Sequence, residues 1–290
     1  MIAIRVEDLK KTYKSGFLKK SKFQALKGVS FEIKEGEIFG FLGPNGAGKT
    51  TTILSMLNLI KRDSGKISFF EKEIEKDVEI FKDIGYIPEE PYLYNFLKVR
   101  EFINLGTKLS GIEDKDIEEK IEKYLKLFDL WEKRENIIKT LSKGQKQRVL
   151  LALNFILEPK ILILDEPFRG LDPVGIRIVR QEIEALSKKG STIFLSSHII
   201  SEVEALCSKV SIINNGLIVW EGNPKEIPRK EEGFKVLYKS KEGVFSGKIL
   251  KNQEELLEFL KEINFSGGEI VEVLQETKLE DYFYEKVREN

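Results

Sequence analysis

The run Gly43-Pro44-Asn45-Gly46-Ala47-Gly48-Lys49-Thr50 constrains this chain more than any other stretch of it. It follows Glu37 to Leu42, an apolar segment that reads as a buried strand, and it precedes TTILSMLNLI, which has helical length and periodicity. A strand, a glycine-rich turn and a helix in that order let successive backbone N–H groups turn inward around an anion at a helix N-terminus. The spacing is that of a phosphate-binding loop. Lys49 is expected to reach β- and γ-phosphate oxygens, and the Thr50 hydroxyl, followed by Thr51, to ligate Mg²⁺.

A second apolar run, Ile161 to Leu164, ends in Asp165-Glu166-Pro167 and reads as a strand buried on both faces of a parallel sheet. Thr192 to Leu195 looks the same, and Pro173 to Ser187 between them is helical. Right-handed β-α-β crossovers then give an open α/β sheet with its ligands at the carboxyl ends of the strands. Two adjacent acids at one such end suit two tasks: Asp165 to hold Mg²⁺ and its waters, Glu166 to orient and deprotonate an attacking water.

Elsewhere the pattern is simpler. Ile2 to Val6, Val29 to Ile33 and Lys66 to Phe70 read as strands, and the basic segment Lys10 to Lys22 as a solvated hairpin or loop. Val99 to Leu109 and Asp116 to Phe128 form a helical insertion, the latter with Ile117, Ile121, Leu125 and Phe128 on one face. Turn-rich, charged residues near 224 mark a domain junction. Beyond it the expected order is strand (Phe234 to Tyr238), strand (Val244 to Leu250), helix (Gln253 to Ile263), strand (Glu269 to Leu274) and helix (Leu279 to Val287).

Leu141-Ser142-Lys143-Gly144-Gln145 opens a further helix, and here the sequence resembles the nucleotide-binding domains of ABC transporters, whose signature is LSGGQ. A helix N-cap accounts for Ser142 but leaves Gly144 and Gln145 without a reason. The resemblance implies that Ser142, Gly144 and Gln145 bind the γ-phosphate held by a second copy, so that ATP joins two domains head to tail; Lys143 departs from the pattern. Other family elements follow in order over roughly residues 1 to 222. Gly170-Leu171-Asp172-Pro173 resembles the D-loop, in which Asp172 couples the two sites, with Phe168-Arg169 in place of small polar residues. His198, the one histidine, stands where the family carries a γ-phosphate switch, and Glu89 where it carries a glutamine that contacts the metal. Tyr13 is the first candidate to stack on adenine, with Phe17 and Phe23 as rivals.

The resemblance therefore implies a P-loop NTPase of ABC type, an α/β fold with an N-terminal antiparallel β subdomain and a helical signature subdomain at about 90–157, occupying residues 1–223; residues 224–290 form a small α+β extension. ATP and Mg²⁺ are the expected cofactors. ATP bound by residues 43–51 and hydrolysed with Glu166 and His198 would power transport through a separate transmembrane permease subunit, by a homodimer or heterodimer of such domains. Tyr92, Leu93 and Tyr94 in the helical insertion are candidates for contact with that permease. The extension's end and Glu89 are similar to exporters of the drug-resistance and sodium-extrusion type.

Composition removes other classes. The chain has 48 basic against 48 acidic residues, so no basic excess suggests a nucleic-acid coat, and no nucleic-acid partner is expected. One cysteine excludes an intrachain disulfide framework. No apolar run reaches the roughly 18 residues of a membrane span and the start shows no signal peptide, so a cytoplasmic protein peripheral to the membrane is expected. The 33% charged content fits a thermophilic source or an AT-rich genome equally. A soluble ABC ATPase acting on ribosomes or nucleic acid is the rival reading, against which a single cassette without coiled coil or zinc cysteines argues; Glu166 and His198 argue against an inactive regulatory cassette. Trp131, Trp220 and Cys207 read as packing residues. An empty-loop Lys49 is expected to add little to the fold.

Overall fold

A computed structural model describes residues 1–15, 21–111, 116–226, 234–241, 244–250, 252–275 and 283. The chain divides into two compact units, Met1–Gly222 and Asn223–Asn290.

The first unit opens with two long antiparallel strands, β1 (Ile2–Ser15) and β2 (Ser21–Lys34). Sequence alternation had picked out only their inner ends. The reason is a bulge after Val6: Asp8 takes a left-handed φ of 46°, its N–H donates to Ser30 Oγ at 2.8 Å, and the apolar phase shifts before the strand resumes. The basic segment's described residues thus form the arms of a hairpin, while Phe17 lies outside the described residues.

After β3 (Ile38–Leu42) comes α1 (Lys49–Met56), then β4 (Ser64–Phe69) and β5 (Lys72–Glu73), which complete a four-stranded antiparallel sheet in the order β2-β1-β4-β5. β6 (Ile84–Ile87) leads into the helical insertion, α2 (Val99–Leu109), α3 (Ile117–Leu127) and α4 (Lys143–Leu157). The remainder alternates: β7 (Ile161–Asp165), α5 (Pro173–Lys188), β8 (Thr192–Ser197), α6 (Ile200–Leu206), β9 (Lys209–Asn214) and β10 (Leu217–Gly222). The second sheet runs β10-β9-β3-β8-β7-β6, parallel except for the β9–β10 hairpin. The α/β expectation and the N-terminal antiparallel subdomain both hold.

β3, β7 and β8 are buried along their whole length, as strands covered on both faces must be. The two sheets share a core in which Phe31 of β2 stacks on Phe39 of β3 at 5.3 Å, and Phe39 on Phe194 of β8 at 5.8 Å. In the helical insertion, Tyr124 and Phe128 stack on Phe155 of α4. Helix α4 is buried from Val149 to Ile156. Cys207 packs behind β3, where a Cβ on Gly40 would meet its Sγ at 3.0 Å, and burial pushes its thiol pKa up, as a packing residue requires.

The second unit holds β11 (Phe234–Lys239), β12 (Phe245–Leu250), α7 (Gln253–Ser266) and β13 (Glu269–Gln275), an antiparallel sheet in the order β12-β11-β13 with Leu256, Phe259 and Ile263 packed on Val236. The helix expected over Leu279 to Val287 lies outside the described residues apart from Phe283. Among the described residues no helix is long and apolar enough to cross a membrane.

Candidate functional site

The turn between β3 and α1 crosses the carboxyl ends of the parallel strands. Gly48 caps α1 with φ 116°, a value closed to side-chain-bearing residues, and this brings Lys49 in as the first helical residue. Lys49 is only 6% exposed. Its Nζ donates to the Gly43 carbonyl at 2.7 Å and lies 3.2 Å from Glu166 Oε1, so the expectation that Lys49 adds little to the empty fold is corrected: it is the countercharge of a buried acid. Gly43 to Thr50 and Thr51 lie along the same turn, and Pro44, Asn45, Gly46, Gly48, Lys49, Thr50 and Thr51 line a cleft of about 320 Å³ with Phe23, Ala25, Glu89 and Glu166. Ala47 is buried beneath the turn.

At the end of β7 the two acids separate. Asp165 accepts hydrogen bonds from Thr50 Oγ1 at 2.9 Å and Ser196 Oγ at 2.5 Å. Burial pushes its carboxyl above the usual range, while these two donors and Lys49 oppose the shift. Glu166, at a left-handed φ of 50°, swings its side chain the other way, and its Oε2 lies 2.8 Å from His198 Nδ1 at the end of β8. Its Oε1 has no hydrogen-bond partner and faces Lys49. Thr50 and Asp165 offer two hard oxygens side by side, a donor set that fits Mg²⁺, which takes few protein ligands and completes its shell with phosphate oxygens and water. Among the described residues there is no cluster of three or more His, Cys, Asp or Glu able to hold a metal by itself.

Aromatics flank the cleft at the hairpin. Tyr13 and Phe23 are cross-strand partners; Phe23 lines the cleft, and Tyr13 OH is 3.5 Å from Thr51 Oγ1 with Lys11 over its ring. Glu89, which also lines the cleft, forms an ion pair with Arg169.

The signature residues stand apart from that cleft. Ser142 Oγ accepts from Gln145 N–H at 3.3 Å, and Gln145 Oε1 accepts from Ser142 N–H at 3.0 Å, a reciprocal capping box at the start of α4. A Cβ on Gly144 would stand 2.8 Å from the Gly170 carbonyl. Local structure thus uses all three residues, including the two that N-capping alone left unexplained. Asp172 caps α5, accepting from Gly175 N–H at 2.7 Å and pairing with Arg148 at 2.9 Å; the Gly175 N–H first, then Arg148, hold its carboxyl below the usual range. Sequence reading missed Ser196, Arg148 and the pairing role of Arg169, none of which carries a local sequence signal.

The ABC transporter family profile matches residues 26–169. An uncharacterized ABC transporter ATP-binding protein of Nostoc sp. is 34% identical over 98% of this chain and 90% of its own length. The bacitracin transport ATP-binding protein of Bacillus licheniformis is 40% identical over 75% of this chain and 69% of its own. Among solved structures, a dimeric post-hydrolysis ATP-binding cassette bound to ADP and Pi superposes with TM-score 0.67 at 26% identity, over 76% of this chain and 98% of that one. Similarity at this level, which in the Nostoc relative spans nearly all of both chains, places the protein in the ABC transporter family as an ATP-binding subunit that hydrolyses ATP.

Proposed function

We propose that this subunit powers export through a separate membrane-spanning permease, working as a homodimer or as a heterodimer with a close paralogue. The observation that carries the reading is the line Lys49–Glu166–His198, a buried lysine–glutamate pair beside the phosphate loop with the exposed His198 at its outer end, because it aligns a cation, a carboxylate and an imidazole where a terminal phosphate would sit. The 40% identity to a bacitracin transport ATP-binding protein supports a role in transport, the glutamate at position 89 supports the export direction, and the dimeric ADP-bound cassette supports a two-domain assembly.

In this reading residues 43–51 bind the phosphates through backbone N–H groups and Lys49 Nζ. Thr50 and Asp165 hold Mg²⁺, with Glu89 bordering the same cleft, and the ion neutralises phosphate charge when bound. Glu166 Oε2 takes the proton of the attacking water, and His198 Nδ1 holds that carboxylate while its ring meets the γ-phosphate. Phe23 or Tyr13 stacks on adenine. Ser142, Gly144, Gln145 and Asp172 act on the nucleotide of the opposing copy, which requires the Ser142–Gln145 capping box to share its donors with phosphate. Residues 1–223 form the cassette and 224–290 an extension, a division that the compact units Met1–Gly222 and Asn223–Asn290 support to within one residue.

Tyr92 and Phe96, 82% and 76% exposed, with Tyr94 beside them, offer an apolar surface to the permease at the cytoplasmic face of the membrane; Phe96 was not among the sequence candidates. The test is co-purification from membranes of the source cell. Recovery with an integral membrane protein whose association is lost in a Tyr92→Asp, Phe96→Asp variant supports the reading, whereas recovery with ribosomes overturns it.

A further inference from the structure

Glu89 brings a third carboxylate to a cleft that already holds Glu166 and, behind Thr50, Asp165. A triphosphate entering there meets Lys49, whose Nζ already faces Glu166. An uncompensated acid at position 89 would therefore oppose nucleotide binding. Its carboxylate is instead paired with the Arg169 guanidinium. The backbone of Arg169 is fixed in turn: its N–H donates to the Glu166 carbonyl at 3.2 Å, and the next residue, Gly170, turns at φ 76° with its carbonyl against Gly144. The guanidinium thus reaches Glu89, which lines the cleft, from a segment anchored at both ends. The neighbouring pair, Glu90 with Lys143 at 3.0 Å, does not line the cleft, so it lacks the same leverage.

We propose that Arg169 is a positioning residue for nucleotide binding: it holds and neutralises the Glu89 carboxylate, so that an acid can border the phosphate cleft without repelling the triphosphate. The inference rests on the assignment of that cleft to MgATP. Its consequence is a coupling between two positions that are 80 residues apart in sequence: Arg169 is required only while residue 89 is an acid.

The test measures equilibrium binding of a non-hydrolysable ATP analogue with Mg²⁺ to the full chain, beside KM and kcat for ATP. Arg169→Ala should weaken binding roughly five-fold, the upper worth of a partly exposed ion pair, and raise KM more than it lowers kcat. Glu89→Gln needs no countercharge, so adding Arg169→Ala to it should change affinity by less than about two-fold, within the scatter of non-interacting sites. Arg169→Gln, which keeps the aliphatic stem and a polar amide without the charge, should behave as Arg169→Ala and guards against a packing effect. An equal loss from Arg169→Ala with Glu89 or Gln at position 89, or no loss in either, overturns the proposal. Lys49→Ala in the same assay separates the two levels. If it binds the analogue as wild type does, the cleft assignment itself fails; if it does not bind and Arg169→Ala is neutral, only the role of Arg169 fails.

Discussion

His198 Nδ1 lies 2.8 Å from Glu166 Oε2, while the other oxygen of the same carboxylate lies 3.2 Å from Lys49 Nζ. One buried acid is thus held from two sides by groups that come from different strand ends. Removing the imidazole frees the carboxylate on the side where water must be deprotonated. His198→Ala should leave MgATP affinity within about two-fold of wild type and lower turnover at saturating ATP by roughly 10²-fold or more. Turnover equal to wild type, measured as phosphate release, would show that His198 takes no part in hydrolysis.

Lys49→Ala should abolish MgATP binding and also lower the melting temperature of the nucleotide-free protein. Both partners of the Lys49–Glu166 pair are about 6% exposed, and stranding one buried charge costs roughly 3 kcal/mol. For a unit of this size that is about 6–12 °C. Adding Glu166→Gln removes the stranded charge, so the double variant should melt well above Lys49→Ala. A Lys49→Ala melt at the wild-type temperature would show that the pair does not stabilise the empty site.

Much of this architecture is legible in the sequence, and the losses have physical causes. The phosphate loop, the Asp165-Glu166 strand end and His198 were readable because each sits at a boundary between an apolar run and a turn. Strand β9 and its partner β10 went unread although Asn215-Gly216 joins them with φ 47° and 78°, the two positive values of a tight hairpin; the Asn-Gly pair was the available signal. Gln145 and Gly144 were read for ligand contact alone because the capping box and the approach to Gly170 depend on geometry that spacing does not encode. The same holds for Glu89 and Arg169, two departures from the family pattern that look unrelated until folding sets them side by side.

Asp165 gives the site a pH dependence whose sign is fixed by burial. Its carboxyl pKa is raised in the fold, so the native state binds more protons than the unfolded chain at mildly acidic pH, and stability falls as pH rises from the ordinary aspartate value through the raised one. Asp165→Asn removes the charge and keeps one acceptor oxygen for Thr50 or Ser196, while its NH2 donates to the other hydroxyl, which turns to accept. In buffer with chelator and no nucleotide, the variant should melt a few degrees above wild type at neutral pH, and the gain should vanish below about pH 4, where both side chains are neutral. An equal gain at both pH values would mean that something other than ionisation is responsible.

Glu166→Gln keeps the volume of the side chain and one carbonyl oxygen toward His198 but removes the proton acceptor. Turnover should fall by roughly 10²–10⁴-fold, the usual worth of a general base, while binding persists. The change also removes a negative charge that faces Lys49 and would face the γ-phosphate, so Lys49 becomes free to serve the nucleotide alone. Affinity for MgATP should therefore rise, and the ATP-bound dimer should accumulate instead of dissociating after hydrolysis. Size exclusion with and without MgATP reads the assembly, and phosphate release reads the chemistry. A variant that stays monomeric at saturating MgATP contradicts the head-to-tail pairing through Ser142 and Gly144, and one that turns over at the wild-type rate contradicts the assignment of Glu166 as the base. The two outcomes are separable because the signature residues lie outside the cleft that Glu166 lines, so failure of one leaves the other standing.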